Sequence, residues 1–288
     1  MNLPATFPEA GLTPEVLREI DYLVVGVGGL VRELLTFTAG ASTVKDASRQ
    51  RLTVADTLAD RLLRESLLRH VPGSSGYSEE EGHFGSASGG RRVRWLVDPL
   101  DGTRPATLGG AFGISVAGLV LEQDRPLGAV GWVYVPTLGV LYRGILAPGY
   151  RDCRANEVEV RAEELTASDL PTRYTAVGSD WCARRPAELP MKLSAPGATA
   201  VHLTQLVHAG SDVAAVMLSR YKPYDAAAGI VIAAAGGCDL YAVDDRMRPL
   251  VSPTEPLRFL GEGDREPDRY GPPMLVCREA VARALREG

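Results

Sequence analysis

Trp95-Leu96-Val97-Asp98-Pro99-Leu100-Asp101-Gly102-Thr103 is the stretch that decides how the rest of the chain is read. An apolar run ends in two aspartates three positions apart, followed by a Gly-Thr step. Val93, Trp95 and Val97 read as a strand, and Trp95-Leu96-Val97 is apolar on both faces, as in a strand buried between layers. Pro99 has no amide to give to a ladder, so the strand is predicted to end at or just before it. Both carboxylates then stand at a strand exit, with Thr103 as a reasonable helix N-cap and Pro105 tolerated in the first turn. Two hard oxygen donors beside backbone amides at a helix start can hold a divalent cation and a phosphate together. Taken alone, the same residues also make an ordinary turn, because Asp-Gly and Asp-Pro are common at strand exits. Partners elsewhere in the chain have to separate the two.

Upstream, apolar residues at three- and four-residue steps from Val16 to Leu35 predict a helix over 14–38. Gly26, Gly28 and Gly29 interrupt it. They read as close packing or a kink, since no Gly-x-Gly-x-x-Gly follows a strand there. Lys45-Asp46-Ala47-Ser48 is a polar connection. A second helix is predicted over 53–70, with Val54, Leu58, Leu62, Leu63, Leu67 and Leu68 facing inward and Asp56 in a first turn that favours a carboxylate. Residues 77–82, with three adjacent glutamates, read as a solvated loop, and 85–90 as a surface turn.

Downstream, 112–142 has the texture of an antiparallel meander with turns at 122–126 and 136–137. Ala147-Pro148-Gly149 is the best boundary, separating an α+β half over 1–147 from an α/β half over 148–288. The second half alternates. Strands are predicted near 176–178, 213–218, 240–243 and 274–277, and helices over 198–208, 225–235 and 278–286, with a charged Pro/Gly-rich loop over 261–273. Such mixing argues for stacked α and β layers.

At 288 residues the chain has room for about two domains of roughly 150 residues, or one large layered domain. Its 45% hydrophobic and 23% charged composition is ordinary for a protein that buries a full core. A formal net charge of -5 argues against a nucleic-acid polymer as partner. Cys153, Cys182, Cys238 and Cys277 form no close pair, so neither a zinc site nor a small disulfide framework is expected. The apolar stretch 22–31 is too short to span a bilayer, and no secretory leader is legible at the start. A cytoplasmic enzyme or binding protein without a membrane partner is the broad expectation.

Four acidic elements line up by context: Asp56 early in a helix, Glu79 after a serine, Asp98 and Asp101 at a strand end, and Asp225 opening a helix. The blocks around them are Lys45…Thr53-Val54-Ala55-Asp56, Ser78-Glu79-Glu80, the 95–103 stretch, and Lys222-Pro223-Tyr224-Asp225-Ala226-Ala227-Ala228-Gly229…Ala235-Gly236-Gly237. In order and separation they resemble the signature blocks of the inositol monophosphatase superfamily, from about residue 15 to the C-terminal helix.

The resemblance implies an α/β (α+β) fold, a layered α-β-α-β-α sandwich. It also implies a phosphomonoesterase that hydrolyses a small phosphorylated metabolite with two or three Mg2+ ions, and members are often homodimers. Carried over residue by residue, Glu79, Asp98, the carbonyl of Leu100, Asp101 and Asp225 would ligate metal. Thr103, paired with Asp56, would position or deprotonate the attacking water, with Glu79 also in the catalytic set. Asp101, Gly102, Thr103 and Asp225 would meet the substrate or its phosphate. His70, His83, His202 and His208 show no metal-ligand pairing and read as surface or packing residues.

The chain also departs from the family pattern. Tyr224 stands for the usual Trp, Pro105-Ala106-Thr107 for the common aromatic, and Ala234 for a frequent Glu. Leu218 lies where inositol-specific members carry a Glu that holds a sugar hydroxyl, which counts against true inositol monophosphate preference. Histidinol phosphate, fructose bisphosphate and phosphoadenosine phosphate are the alternative substrates within the superfamily. Arg104 and Lys222 are candidates to contact a second anionic group. A regulatory protein that keeps the metal cluster without turnover is the alternative of another class.

Overall fold

The computed structural model describes residues 3–37, 43–44, 51–88, 90–177, 191–194, 197–244 and 248–287; Lys45-Asp46-Ala47-Ser48, Gly178 and Cys182 lie outside these. A single turn, α1 (Thr6–Glu9), precedes α2 (Pro14–Phe37), and α3 (Val54–His70) follows a two-residue pairing of β1 (Thr43–Val44) with β2 (Arg51–Leu52). The apolar face of α2 (Leu17, Ile20, Val24, Val31) packs with Leu63 and Leu67 of α3. Val54 is not part of that face. It is 67% exposed, because the helix turns Ala55, Ala59, Leu63 and Leu67 inward instead.

The α2 glycines separate into two kinds. A side chain at Gly28 would meet the Tyr134 ring at 2.3 Å, whereas nothing lies within 4 Å of one at Gly26. Gly28→Ala is therefore expected to destabilise by about 1–3 kcal/mol through overpacking. Gly26→Ala is expected to stabilise by about 0.5–1 kcal/mol, since Gly inside a helix loses more entropy on folding than Ala does. Urea midpoints of the two variants should move in opposite directions; equal shifts would contradict the packing.

The segment expected as a loop over 77–82 is instead a hairpin of β3 (Ser75–Ser78) and β4 (Gly82–Gly85), with the three glutamates at its turn. β5 (Arg91–Asp101) follows and runs through Pro99, where a strand end was predicted. Its register against β6 (Gly113–Glu122) breaks between Asp98 and Asp101, and proline is tolerated at such an irregularity because no ladder amide is required there. Thr103 is the first residue of α4 (Thr103–Thr107), and the N-cap is Gly102 at φ +90° rather than Thr103.

The expected meander is present as β6, β7 (Arg125–Val135) and β8 (Val140–Ala147). The chain turns at Pro148 and Gly149, and β9 (Tyr150–Ala155) and β10 (Val158–Glu159) carry the same sheet past that point to Glu159. This sheet has the order β10-β9-β8-β7-β6-β5-β3-β4, antiparallel except for β3 beside β5.

The second sheet comprises β11 (Tyr174–Val177), β12 (Lys192–Ser194), β13 (Val213–Leu218), β14 (Asp239–Ala242) and β15 (Met274–Cys277), in the order β12-β11-β13-β15-β14. Between the sheets lie α5 (Thr199–Gln205) and α6 (Pro223–Ala235), with α7 (Pro256–Arg265) packed against α6; α8 (Glu279–Glu287) covers the far face of the second sheet. The layers run α2/α3, sheet, α5/α6, sheet, α8, which is the α-β-α-β-α sandwich.

The predicted loop over 261–273 is helical as far as Arg265, because Glu255 caps α7 by accepting the amides of Leu257 (3.1 Å) and Arg258 (2.6 Å). No helix among the described residues is long and apolar enough to cross a membrane.

α6 is buried on nearly every face, as expected of an apolar helix between two sheets. Its approach to the first sheet is made by a cross-strand pair of glycines, Gly131 opposite Gly144. A Cβ at Gly131 would lie 2.6 Å from the Ala228 carbonyl oxygen, and one at Gly144 would lie 2.6 Å from the Ile232 Cα. This seat sets where the first turn of α6, with Asp225, comes to rest.

Candidate active site

Three carboxylates converge where β3, β5 and α6 end or begin. One oxygen each from Glu79, Asp98 and Asp225 lies within 4.8 Å of the others. Parallel pairing of β3 with β5 brings the first two together: Ser78 is level with Val97, and the Glu79 amide donates to the Val97 carbonyl at 3.0 Å. Asp225 is the third residue of α6, and one of its oxygens accepts the Lys222 amide at 2.7 Å, which holds the side chain over the helix start. Asp98, 2% exposed, accepts the Leu100 amide at 3.0 Å.

Asp101 stands beside this trio and is engaged differently. Its two oxygens accept the amides of Thr199 (2.7 Å) and Val201 (3.0 Å) at the start of α5. It was expected as a metal ligand, and its helix contacts had no signal in the local sequence, since the partners lie about a hundred residues away. Asp56 caps its own helix, accepting the amide and hydroxyl of Thr53, and also accepts the Thr103 hydroxyl at 3.2 Å. That hydroxyl lies 3.3 Å from the Leu100 carbonyl oxygen. The expected Asp56–Thr103 pair is thus formed, and Thr53, whose Thr-x-x-Asp spacing is a capping box, is the partner that sequence analysis passed over.

Electrostatics set this place apart. Burial, and then the charges of Glu79, Asp101 and Asp225, push the Asp98 carboxyl well above the usual range. Burial likewise raises Asp101 and Asp225, each to about 7, against the pull of their amide donors, and raises Asp56. The Lys222 charge pulls Asp225 the other way. Carboxylates that repel one another, Asp98 buried and Glu79 and Asp225 half-buried, with oxygen donors close enough to share an ion, fit a hard divalent cation.

Two rings frame the cluster. Tyr77 on β3 and Tyr224 on α6 stack at 5.8 Å with their planes 13° apart. Leu218 is buried in the core between the sheets, Ala234 is buried within α6, and Arg104 is exposed on α4. Lys222 is engaged with Asp268.

The histidines serve elsewhere: His70 beside Glu19, His83 edge-on to Tyr77, His208 with the Tyr142 hydroxyl, and His202 inside α5. Cys153, Cys238 and Cys277 are free and buried.

His202 yields a pH prediction for the helix that holds Asp101. It is 5% exposed, and burial holds its pKa down to about 4. A depressed histidine contributes stability above its unfolded pKa of about 6.5, and that stability is lost as pH falls toward the folded value. The loss is on the order of 3 kcal/mol by pH 4. The raised carboxyls slope the opposite way, so the difference between wild type and His202→Gln isolates the effect. That difference should shrink from pH 7 to pH 4, and a flat difference would contradict a neutral buried imidazole.

Fold and site together define a layered α-β-α-β-α protein with a buried carboxylate centre suited to divalent metal. A sequence profile of the inositol monophosphatase family matches residues 14–256, and the chain belongs to that family of metal-dependent phosphoric monoester hydrolases. It is 24% identical over 255 residues to the 3'(2'),5'-bisphosphate nucleotidase CysQ of Escherichia coli (strain K12), covering 87% of this chain and 98% of that one. It is 29% identical over 193 residues to the fructose-1,6-bisphosphatase/inositol-1-monophosphatase of Aquifex aeolicus (strain VF5), covering 63% and 68%. Among solved structures, the Thermotoga maritima IMPase superposes with a TM-score of 0.64 at 19% identity, covering 94% of this chain and 96% of that one.

Proposed function

We propose that the protein is a magnesium-dependent phosphomonoesterase acting on a small phosphorylated metabolite, with two or three ions held by Glu79, Asp98, the Leu100 carbonyl, Asp101 and Asp225. The observation that carries this is the convergence of Glu79, Asp98 and Asp225 beside the hydrogen-bonded Asp56–Thr103 pair. The amides of Thr199, Val201 and Ala200 bear on Asp101, and a carboxylate has about four lone-pair sites, so one stays open to complete the set. When bound, the cations supply positive charge against the phosphate and ease deprotonation of water.

The residues of the chain do the rest. Thr103 donates to Asp56, so its oxygen can take a proton from an attacking water as its own proton passes to Asp56. Burial raises the affinity of Asp56 for a proton, the direction a base requires, while Thr53 holds the carboxylate in place. Amides at the start of α4, from Gly102 and Thr103, would cradle the phosphate. The departures at Ala106, Leu218, Tyr224 and Ala234 leave all these acids intact.

A nucleotide bisphosphate is the first substrate to assay, because the CysQ relative is matched over 98% of its length. Leu218, buried and apolar, offers no contact to a sugar hydroxyl. The test measures phosphate release from nucleotide, fructose, inositol and histidinol phosphates, with and without magnesium, for wild type and Thr103→Val. Release should require magnesium, and the variant should lose on the order of 100-fold in kcat. No release from any substrate with magnesium binding retained would sink the enzyme assignment, and favour a metal-binding regulatory protein.

A further inference from the structure

Ser115 of β6 is 0% exposed, and its hydroxyl has no hydrogen-bond partner among the described residues. A buried hydroxyl left unpaired costs stability, so a partner has to come from what the site does.

Ser115 stands directly opposite Asp98 on β5. Leu96 and Ala117 face the core between the two sheets, and Val97 and Val116 face the opposite side. Strand alternation therefore puts Asp98 and Ser115 together on the face toward α6. Residues paired in this way hold their Cβ atoms about 4.5–5.5 Å apart. A serine oxygen turned toward β5 by rotation about χ1 spans that gap to a carboxylate oxygen. The other side chains beside Ser115 on the sheet are Val133 across on β7 and Ala117 along β6, with Gly113 on the other side; none of them offers an acceptor. Asp98 accepts the Leu100 amide at one oxygen, which leaves lone pairs for a further donor beside an ion.

We propose that Ser115 is a positioning residue of the metal centre: its hydroxyl donates to the Asp98 carboxylate once an ion is bound and fixes the orientation in which Asp98 meets that ion. Carboxylates that bind metal are themselves held by hydrogen bonds, and losing such a partner weakens metal binding about 10–100-fold. Ser115 touches neither ion nor substrate, and its role rests on Asp98 being a metal ligand.

The hydroxyl is unpaired without metal and paired with it, so its removal has effects of opposite sign. Ser115→Ala should raise the melting temperature of the metal-free protein by about 2 °C, the gain from deleting one unpaired buried group. In isothermal titration calorimetry of the full chain with Mg2+, the same variant should bind about tenfold more weakly in its tightest step. Ser115→Cys keeps the side-chain shape and loses the strong donor, so its Mg2+ affinity should fall likewise. A packing role would instead lower the metal-free melting temperature of Ser115→Ala and leave the Mg2+ affinity of Ser115→Cys unchanged. Wild-type affinity in either variant, or metal-free Ser115→Ala melting below wild type, would overturn the role of Ser115 and leave the metal centre standing. A wild-type protein that bound no Mg2+ would overturn both.

Discussion

Asp98→Asn is expected to reduce phosphate release by on the order of 1,000-fold or more, about 4 kcal/mol of transition-state stabilisation, with the fold intact. Asparagine keeps the shape and keeps an oxygen to accept the Leu100 amide, so the packing of β5 should not change. What it removes is a negative charge from the most strained position of the cluster. The folded-state pKa of Asp98 is raised by burial and by Glu79, Asp101 and Asp225, so the stability linked to its protonated form is lost as pH rises through that value. An asparagine suffers no such loss. In the absence of metal, at neutral pH and above, the variant should therefore melt at a higher temperature than wild type.

Added magnesium should reverse the comparison. Wild type gains stability by ligand linkage, about 2.7 kcal/mol at a hundred times the dissociation constant, and the variant gains little. Calorimetry with and without magnesium, beside the activity assay, separates this account from a structural one. A variant that lost activity together with stability in both conditions would point to structure instead, and near-normal turnover would refute the metal-ligand role.

Gly144→Val is expected to cost about 3 kcal/mol or more. Gly144 stands opposite Gly131 on adjacent strands, and its Cβ would meet the Ile232 Cα at 2.6 Å, the Ile232 amide nitrogen at 2.9 Å and the Val231 carbonyl oxygen at 2.9 Å. These are backbone atoms of a helix packed between two sheets, so no side-chain rotation can relieve them. α6 would have to shift, and Asp225 with it, so kcat should fall along with the melting temperature. Wild-type stability and activity in this variant would show that the glycine pair is not the seat of α6.

Much of this is legible in the sequence alone. The 3.6-residue periodicity marks α2 and α3, since one wide apolar face is required to cover a sheet. The meander is legible because short apolar runs are punctuated by turn residues. Some features were legible only in part. Gly131 and Gly144 inside strands are a known sign of close backbone approach, but the sequence does not say what approaches. Glycine and charge in 261–265 hide a helix, because its cap, Glu255, lies upstream of the part that looks irregular. Glutamates at 79–81 look like a solvated loop, because a hairpin turn has the same composition.

By itself, the sequence determined the residue types at the centre. Asp98, Pro99, Asp101, Gly102 and Thr103 are neighbours in the chain, and their chemistry is local: two carboxylates, a bulge that tolerates proline, and a glycine that adopts positive φ. Only the tertiary structure decided what those carboxylates face. The parallel register of β3 and β5 places Glu79 beside Asp98, the glycine seat delivers Asp225, and the start of α5 engages Asp101 from a hundred residues away. The reason is physical. Carboxylates repel and do not choose one another as neighbours, so their convergence is imposed by the packing of apolar layers that carry no charge themselves.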